Sequence, residues 1–177
     1  MSDARSLLAQ ALAEAQSSLE AVDTAALDVA AQLIASSPRC FAAGQGRSGH
    51  VARMFAMRLA QLGRRAHAVG ESTTPAIAAG DLLVACSGSG ETHTTCYQAQ
   101  KARDLGATVM AATGRPDSSL AALANHVVRI PTAESEQLGA SRYEHVLLMV
   151  LDTLAARVAA ILDIPADEIW RRHANLE

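Results

Sequence analysis

Two short stretches of the chain, CFAAGQGRSG (Cys40–Gly49) and LVACSGSGE (Leu83–Glu91), share one grammar: an apolar run, a turn of glycine with serine, and the opening of a helix. Similar apolar runs recur at Arg39–Gly44, Arg65–Gly70, Asp81–Cys86, Ala107–Ala112 and His126–Ile130. Each is too short for a helix and apolar throughout rather than alternating. That is the mark of a strand covered on both faces. Helical segments follow at Ser48–Gly63, Glu91–Leu105 and near Ser118–Ala124. Strands alternating with helices imply a parallel sheet, because parallel neighbours need long crossover connections. The fold class expected is therefore α/β, with five parallel strands between helical layers.

Two helices precede the first strand. In the first, Asp3 to about Val22, residues Leu8, Leu12, Ala15 and Leu19 recur at helical spacing. The second starts at Asp23-Thr24 and is ended by Pro38. They cover the sheet or pack against another subunit. After the last strand, Ser141–Leu162 reads as a long helix with Leu147, Leu151, Leu154, Val158 and Ile161 on one side, and Pro165 opens a final short helical piece.

With 177 residues, half of them hydrophobic, and no linker-like stretch, residues 1–177 read as a single domain. The net charge of −3 argues against a nucleic-acid partner, and the 3 % aromatic content leaves few rings to stack on bases. No apolar run approaches the roughly 18 residues of a membrane span. The start, MSDARSLLAQ, lacks a basic segment followed by an apolar stretch, so the expected location is the cytoplasm, away from membranes. Cys40 and Cys86 lie in apolar runs and read as small core residues; Cys96 also reads as packing rather than chemistry.

The turn after the third strand says most about function. Loops at the carboxyl ends of parallel strands line the ligand crevice of such sheets. Glycine lets the backbone approach an anion, and the first helical turn offers free N–H groups and a favourable dipole. The hydroxyls of Ser87, Ser89 and Thr92 add donors around Gly88. A single N-cap needs one such side chain, so this turn reads as a phosphate cradle. The first turn, Gly44-Gln45-Gly46-Arg47-Ser48-Gly49, also matches G-x-G-x-x-G, and Glu71 falls where a dinucleotide fold places its ribose-binding acid. A second hydroxyl-rich nest and the lack of room for a substrate domain weigh against a dinucleotide. Glu144, at the head of the long helix, is either a general base facing the same crevice or an ordinary first-turn acid. Glu71 is either a second acid there or a strand-end carboxylate. The six histidines and three cysteines show no metal-ligand spacing. His50 and His93 flank the two turns, while His67 and His126 read as structural.

The stretches GQGRSG, FAMRL, VGESTTPAI, GDLLVACSGSGET and the terminal HANLE together resemble the 6-phospho-3-hexuloisomerases, compact sugar isomerase (SIS) domain enzymes. The resemblance spans nearly the whole chain. It implies a flavodoxin-like three-layer αβα sandwich, a tetramer built from dimers, and interconversion of 3-hexulose 6-phosphate with fructose 6-phosphate, without metal or organic cofactor. It assigns phosphate binding to Ser48, Ser87, Ser89 and Thr92, with Gly46 and Gly88 in the turns that hold them. Arg47 would lie beside the substrate oxygens, Glu144 would be the base, and His173 a contact reaching a neighbouring subunit. Two departures stand out: Gln61 replaces a histidine common in relatives, and Arg142-Tyr143 replace an aliphatic residue and a phenylalanine before the glutamate. A sugar-phosphate sensor without catalysis, or an isomerase of arabinose 5-phosphate, are the alternatives.

Overall fold

The computed structural model describes residues 3–176. Its order is α1 (Ala4–Glu20), α2 (Thr24–Ser36), β1 (Cys40–Gly44), α3 (Gly46–Gln61), β2 (Ala66–Ala68), β3 (Leu82–Cys86), α4 (His93–Asp104), β4 (Thr108–Thr113), α5 (Ser119–Leu123), β5 (His126–Arg129), α6 (Ser141–Ile161) and α7 (Ala166–Arg171). All five strands are parallel, in the spatial order β2-β1-β3-β4-β5.

Successive residues of a strand face opposite sides, so each strand feeds two cores. Cys40, Ala42, Leu82, Val84 and Met110 pack under α1, α2, α3 and α6, whereas Phe41, Ala43, Leu83, Ala85 and Val109 pack under α4 and α5. The heavier layer is organised by α6. Its Leu147, Leu151 and Leu154 are fully buried, and each contributes about 1.5–3 kcal/mol by leaving water.

The helical stripe expected on α1 is only half used. Ala15 and Leu19 join the core, but Leu8 and Leu12 stay exposed because α6 covers only the second half of the helix. The expected strand Arg65–Gly70 shrinks to Ala66–Ala68, since β2 is an edge strand with one partner. Between β2 and β3, residues 69–80 form turns rather than a helix, and Val69 and Ile77 pack beneath them. Among the described residues, no helix is long and apolar enough to cross a membrane.

Candidate active site

The chain leaves β1 for β2 on one side and returns to β3 on the other, so the turns after β1 and β3 emerge side by side. Their last residues, Gly44 and Cys86, are register partners. Such a reversal of strand order is where open α/β sheets open a crevice.

Three helices start at this edge, and each lacks a side-chain cap. The N-cap residues of α3, α4 and α6 are Gln45, Thr92 and Ala140, none of which bonds to its helix through its side chain. By contrast α1, α2 and α5 are capped by Asp3, Asp23 and Ser118. The uncapped first turns leave N–H groups for a ligand.

In the second turn, Ser87 is buried and its Oγ accepts the Gly90 N–H at 3.1 Å and pairs with Thr92 Oγ1 at 2.9 Å. Ser89, exposed at the tip, accepts the Glu91 N–H at 3.1 Å. Gly90 holds φ +68°, and a Cβ there would lie 2.0 Å from Ser118 Oγ, so glycine is required twice over. In the first turn, a Cβ on Gly49 would come within 2.7 Å of the Gly44 carbonyl oxygen. That close approach of helix to strand brings half-buried Ser48 to the crevice, with exposed Gly46 and Arg47 preceding it.

Glu144 is buried in the first turn of α6, and its Oε2 accepts the Arg47 Nε–H in an ion pair. This pair ties the first turn to the head of α6. The neighbouring Tyr143 is also buried, and its hydroxyl donates to the Ala112 carbonyl at 2.7 Å. Burial, together with the nearby Cys86 thiol and Glu144 carboxylate, pushes the Tyr143 phenol well above its usual pKa. The face of its ring lies against Gly88. A cavity of about 240 Å³ opens here, lined by Gly88, Ser89, Thr132, Gly139, Arg142 and Tyr143 among others.

Two expected site residues stand apart. Glu71 forms an exposed ion pair with Arg53 of α3 at 2.9 Å rather than turning toward Glu144. His173 follows α7, which packs against the far end of α6, and stacks on Trp170 with ring centroids 5.9 Å apart. Ile169 of α7 lies beside Asp152, Ala155 and Ala159 of α6, about two to four turns beyond Glu144. His50 and His93 are exposed, His126 Nε2 lies 2.9 Å from the Ala26 carbonyl oxygen, and His67 tilts over Phe41. No group of three or more His, Cys, Asp or Glu among the described residues is arranged to hold a metal ion. Cys96 is partly buried against the Gly90 carbonyl.

The wall of the cavity formed by the β5–α6 loop escaped sequence reasoning. Glu14 of α1 accepts hydrogen bonds from Ser135 Oγ at 2.5 Å and Gln137 Nε2 at 2.7 Å, across more than 120 residues. These bonds hold the Glu14 carboxyl down to about 2. No local signal could have joined them. Tyr143 was within reach, because the apolar stripe of α6 extends back through Val146 to it.

The sequence pattern of the SIS domain family matches residues 33–158, which include both turns and Glu144. The chain belongs to the SIS domain family. Its site therefore occupies the strand ends of an SIS sheet. The 3-hexulose-6-phosphate isomerase of Mycobacterium gastri is 44 % identical over 88 % of this chain and 82 % of its own length. That of Bacillus subtilis is 36 % identical over 96 % of this chain and 97 % of its own. A solved structure from Methanococcus jannaschii superimposes with a TM-score of 0.82 at 32 % identity, covering 87 % of each chain. Its description infers a molecular function of 3-hexulose-6-phosphate isomerase.

Proposed function

We propose that this SIS chain is a phosphosugar isomerase that interconverts 3-hexulose 6-phosphate and fructose 6-phosphate. The observation that carries the reading is the Arg47–Glu144 pair beside the Ser87–Thr92 turn: a buried carboxylate, an exposed cation and a nest of donors at one strand edge. Curated relatives with this activity, similar over most of the chain, support it.

The substrate's phosphate binds in the second turn, on Ser87, Ser89 and Thr92 and the first-turn amides of α4, with Ser48 from the first turn. Gly46 and Gly88 leave room for it. Phosphate carries nearly two negative charges, which suits uncapped helix starts. Binding there fixes the carbon chain over Glu144, so that the remote phosphate orients the reacting centre.

Glu144 then removes the proton from C2 of the 3-hexulose. The resulting 2,3-enediolate carries its charge on the two oxygens, and Arg47, 63 % exposed along its side chain, swings from the carboxylate to stabilise them. Glu144 returns the proton to C3, while the hydrogen on O2 passes to O3, giving the ketone at C2. All the hydrogen comes from the substrate itself. Opening of cyclic fructose 6-phosphate needs an acid, and His173 supplies it from a neighbouring copy, because its own site lies at the other end of α6. This requires an oligomer, which we take to be a tetramer built from dimers, working in the cytoplasm. Glu71 stays outside the reaction as a surface partner of Arg53.

The test is Glu144→Gln, assayed by coupled formation of fructose 6-phosphate. Turnover should fall about 10²–10⁴-fold, the range a general base supplies, while fructose 6-phosphate binding persists. Unchanged turnover overturns the role of Glu144.

A further inference from the structure

A second cavity, of about 190 Å³, adjoins the one at the candidate active site, between α1, the end of β5 and the head of α6. Its polar lining is Ser17, Ser18, Arg129, Thr132 and Arg142, completed by two alanines and a proline. Every charged group in that lining is a cation, and no carboxylate contributes to it.

Arg142 is the unusual member. Its residue surface is only 8 % exposed, yet among the described residues it meets no carboxylate. Its Nε donates to Ser18 Oγ at 2.9 Å and its Nη1 to the Glu134 carbonyl at 3.1 Å. Both partners are neutral, and its remaining nitrogen, Nη2, is unbonded without being sealed off from the cavity. Buried charges are normally paired, because an isolated one loses its hydration without recovering it. Arg129, exposed at the end of β5, likewise has no ion pair and no hydrogen-bond partner for its side chain among the described residues. Among the described residues the hydroxyls of Ser17 and Thr132 have no hydrogen-bond partner either.

Two guanidinium groups and three hydroxyls in one small concave space make a donor-rich set with no anionic partner among the described residues. Guanidinium groups bind phosphate and related oxyanions through paired N–H donors. We propose that this cavity is a second oxyanion site, distinct from the turn after β3, that takes a compact phosphate group between Arg129 and Arg142. Its occupant would join α1 to the head of α6, which bears Glu144 two residues beyond Arg142. The two cavities share Thr132, Ala133 and Arg142, and what separates the second is Arg129 with Ser17 and Ser18, none of which is assigned to catalysis or to the first phosphate.

Inorganic phosphate is the probe, followed on the full chain by the arginine Nε–Hε resonances and the backbone amides, at constant ionic strength held with chloride. The Arg129 and Arg142 signals should shift saturably with phosphate. Arg129→Ala removes only an exposed side chain, so the fold survives. It should weaken the phosphate response at Arg142 by ten-fold or more, while the amides of Ser87 to Glu91 respond as before. Silence of Arg129 and Arg142 while those amides shift overturns the second site. So does an equal response to added chloride, which marks general charge screening. A response at Arg142 that Arg129→Ala leaves unchanged also overturns the paired-guanidinium geometry.

Discussion

Replacing Gly88 with alanine puts a methyl group against the ring of Tyr143, the residue just before Glu144. A Cβ at position 88 would lie 3.0 Å from Cγ and Cδ1 of Tyr143, some tenths of an ångström inside normal contact. The ring cannot easily yield, because it is 4 % exposed and its hydroxyl is held at 2.7 Å by the Ala112 carbonyl. Either the turn moves away from its ligand position, or the ring tilts and its hydrogen bond lengthens. Overpacking of this kind costs about 1–3 kcal/mol, and a weakened buried hydrogen bond about 1 kcal/mol. A loss of about 2 kcal/mol lowers Tm by roughly 4–8 °C in a chain of this size. Because Glu144 is the next residue, a small shift of Tyr143 also displaces the carboxylate, and kcat should drop about ten-fold where a full 1 Å error costs about a hundred-fold. Thermal denaturation and the coupled isomerase assay read both effects. Tyr143→Phe frees the ring from its tether. Gly88→Ala should therefore cost less in that background than in the native chain, a coupling measured by a double-mutant cycle. A Gly88→Ala protein that melts within a degree of the native chain and turns over normally would refute the wedge.

Four further outcomes are expected. Ser87→Ala deletes both the Thr92 pairing and the acceptor for the Gly90 amide; it should destabilise the chain by about 1–2 kcal/mol and raise KM for the sugar phosphate by about ten-fold, seen in steady-state kinetics. Arg47→Ala should lower kcat about 10²–10³-fold, as loss of a donor to a developing oxyanion does, and Arg47→Lys should recover only part of it. At high pH, burial of the Cys86 thiol, pushed up to about 12 from an ordinary 9, favours the neutral form in the folded chain. The unfolded chain then holds fewer protons above pH 9, so stability should fall as pH rises from about 9 toward 12, and Cys86→Ala should flatten that slope in urea titrations. At low pH, burial works against the Asp81 carboxylate but the Arg39 guanidinium and the Ala78 N–H outweigh it, holding its pKa below the usual range. Its contribution is present above the ordinary carboxylate pKa and lost as pH falls through the lower folded value, an acid loss that Asp81→Asn should remove while lowering stability at neutral pH.

Much of this protein is written in local pattern. Strands that are apolar throughout identify a sheet covered on both faces, and the glycine and serine clusters mark where its strands end. The Ser-Gly-Ser-Gly turn announces a place for an anion, because hydroxyls and glycines this dense exceed what a helix cap requires. Those features depend on residues within a few positions of one another, and local preference is legible without a fold. Strand order is not: nothing near Gly44 says that its neighbour is Cys86, and only that register sets the two turns side by side. Nor does any spacing reveal that Arg47 reaches Glu144 across 97 positions, or that Glu71 spends its charge on Arg53. Arg142 shows in sequence only as a departure from the relatives' pattern before Glu144, and only the fold sets it against Ser18 of α1 and buries it. The sequence by itself determined the elements and the chemistry each turn can offer. The packing of helices onto the sheet decided which of those groups meet, because long-range partners are chosen by the burial of whole faces rather than by neighbours along the chain.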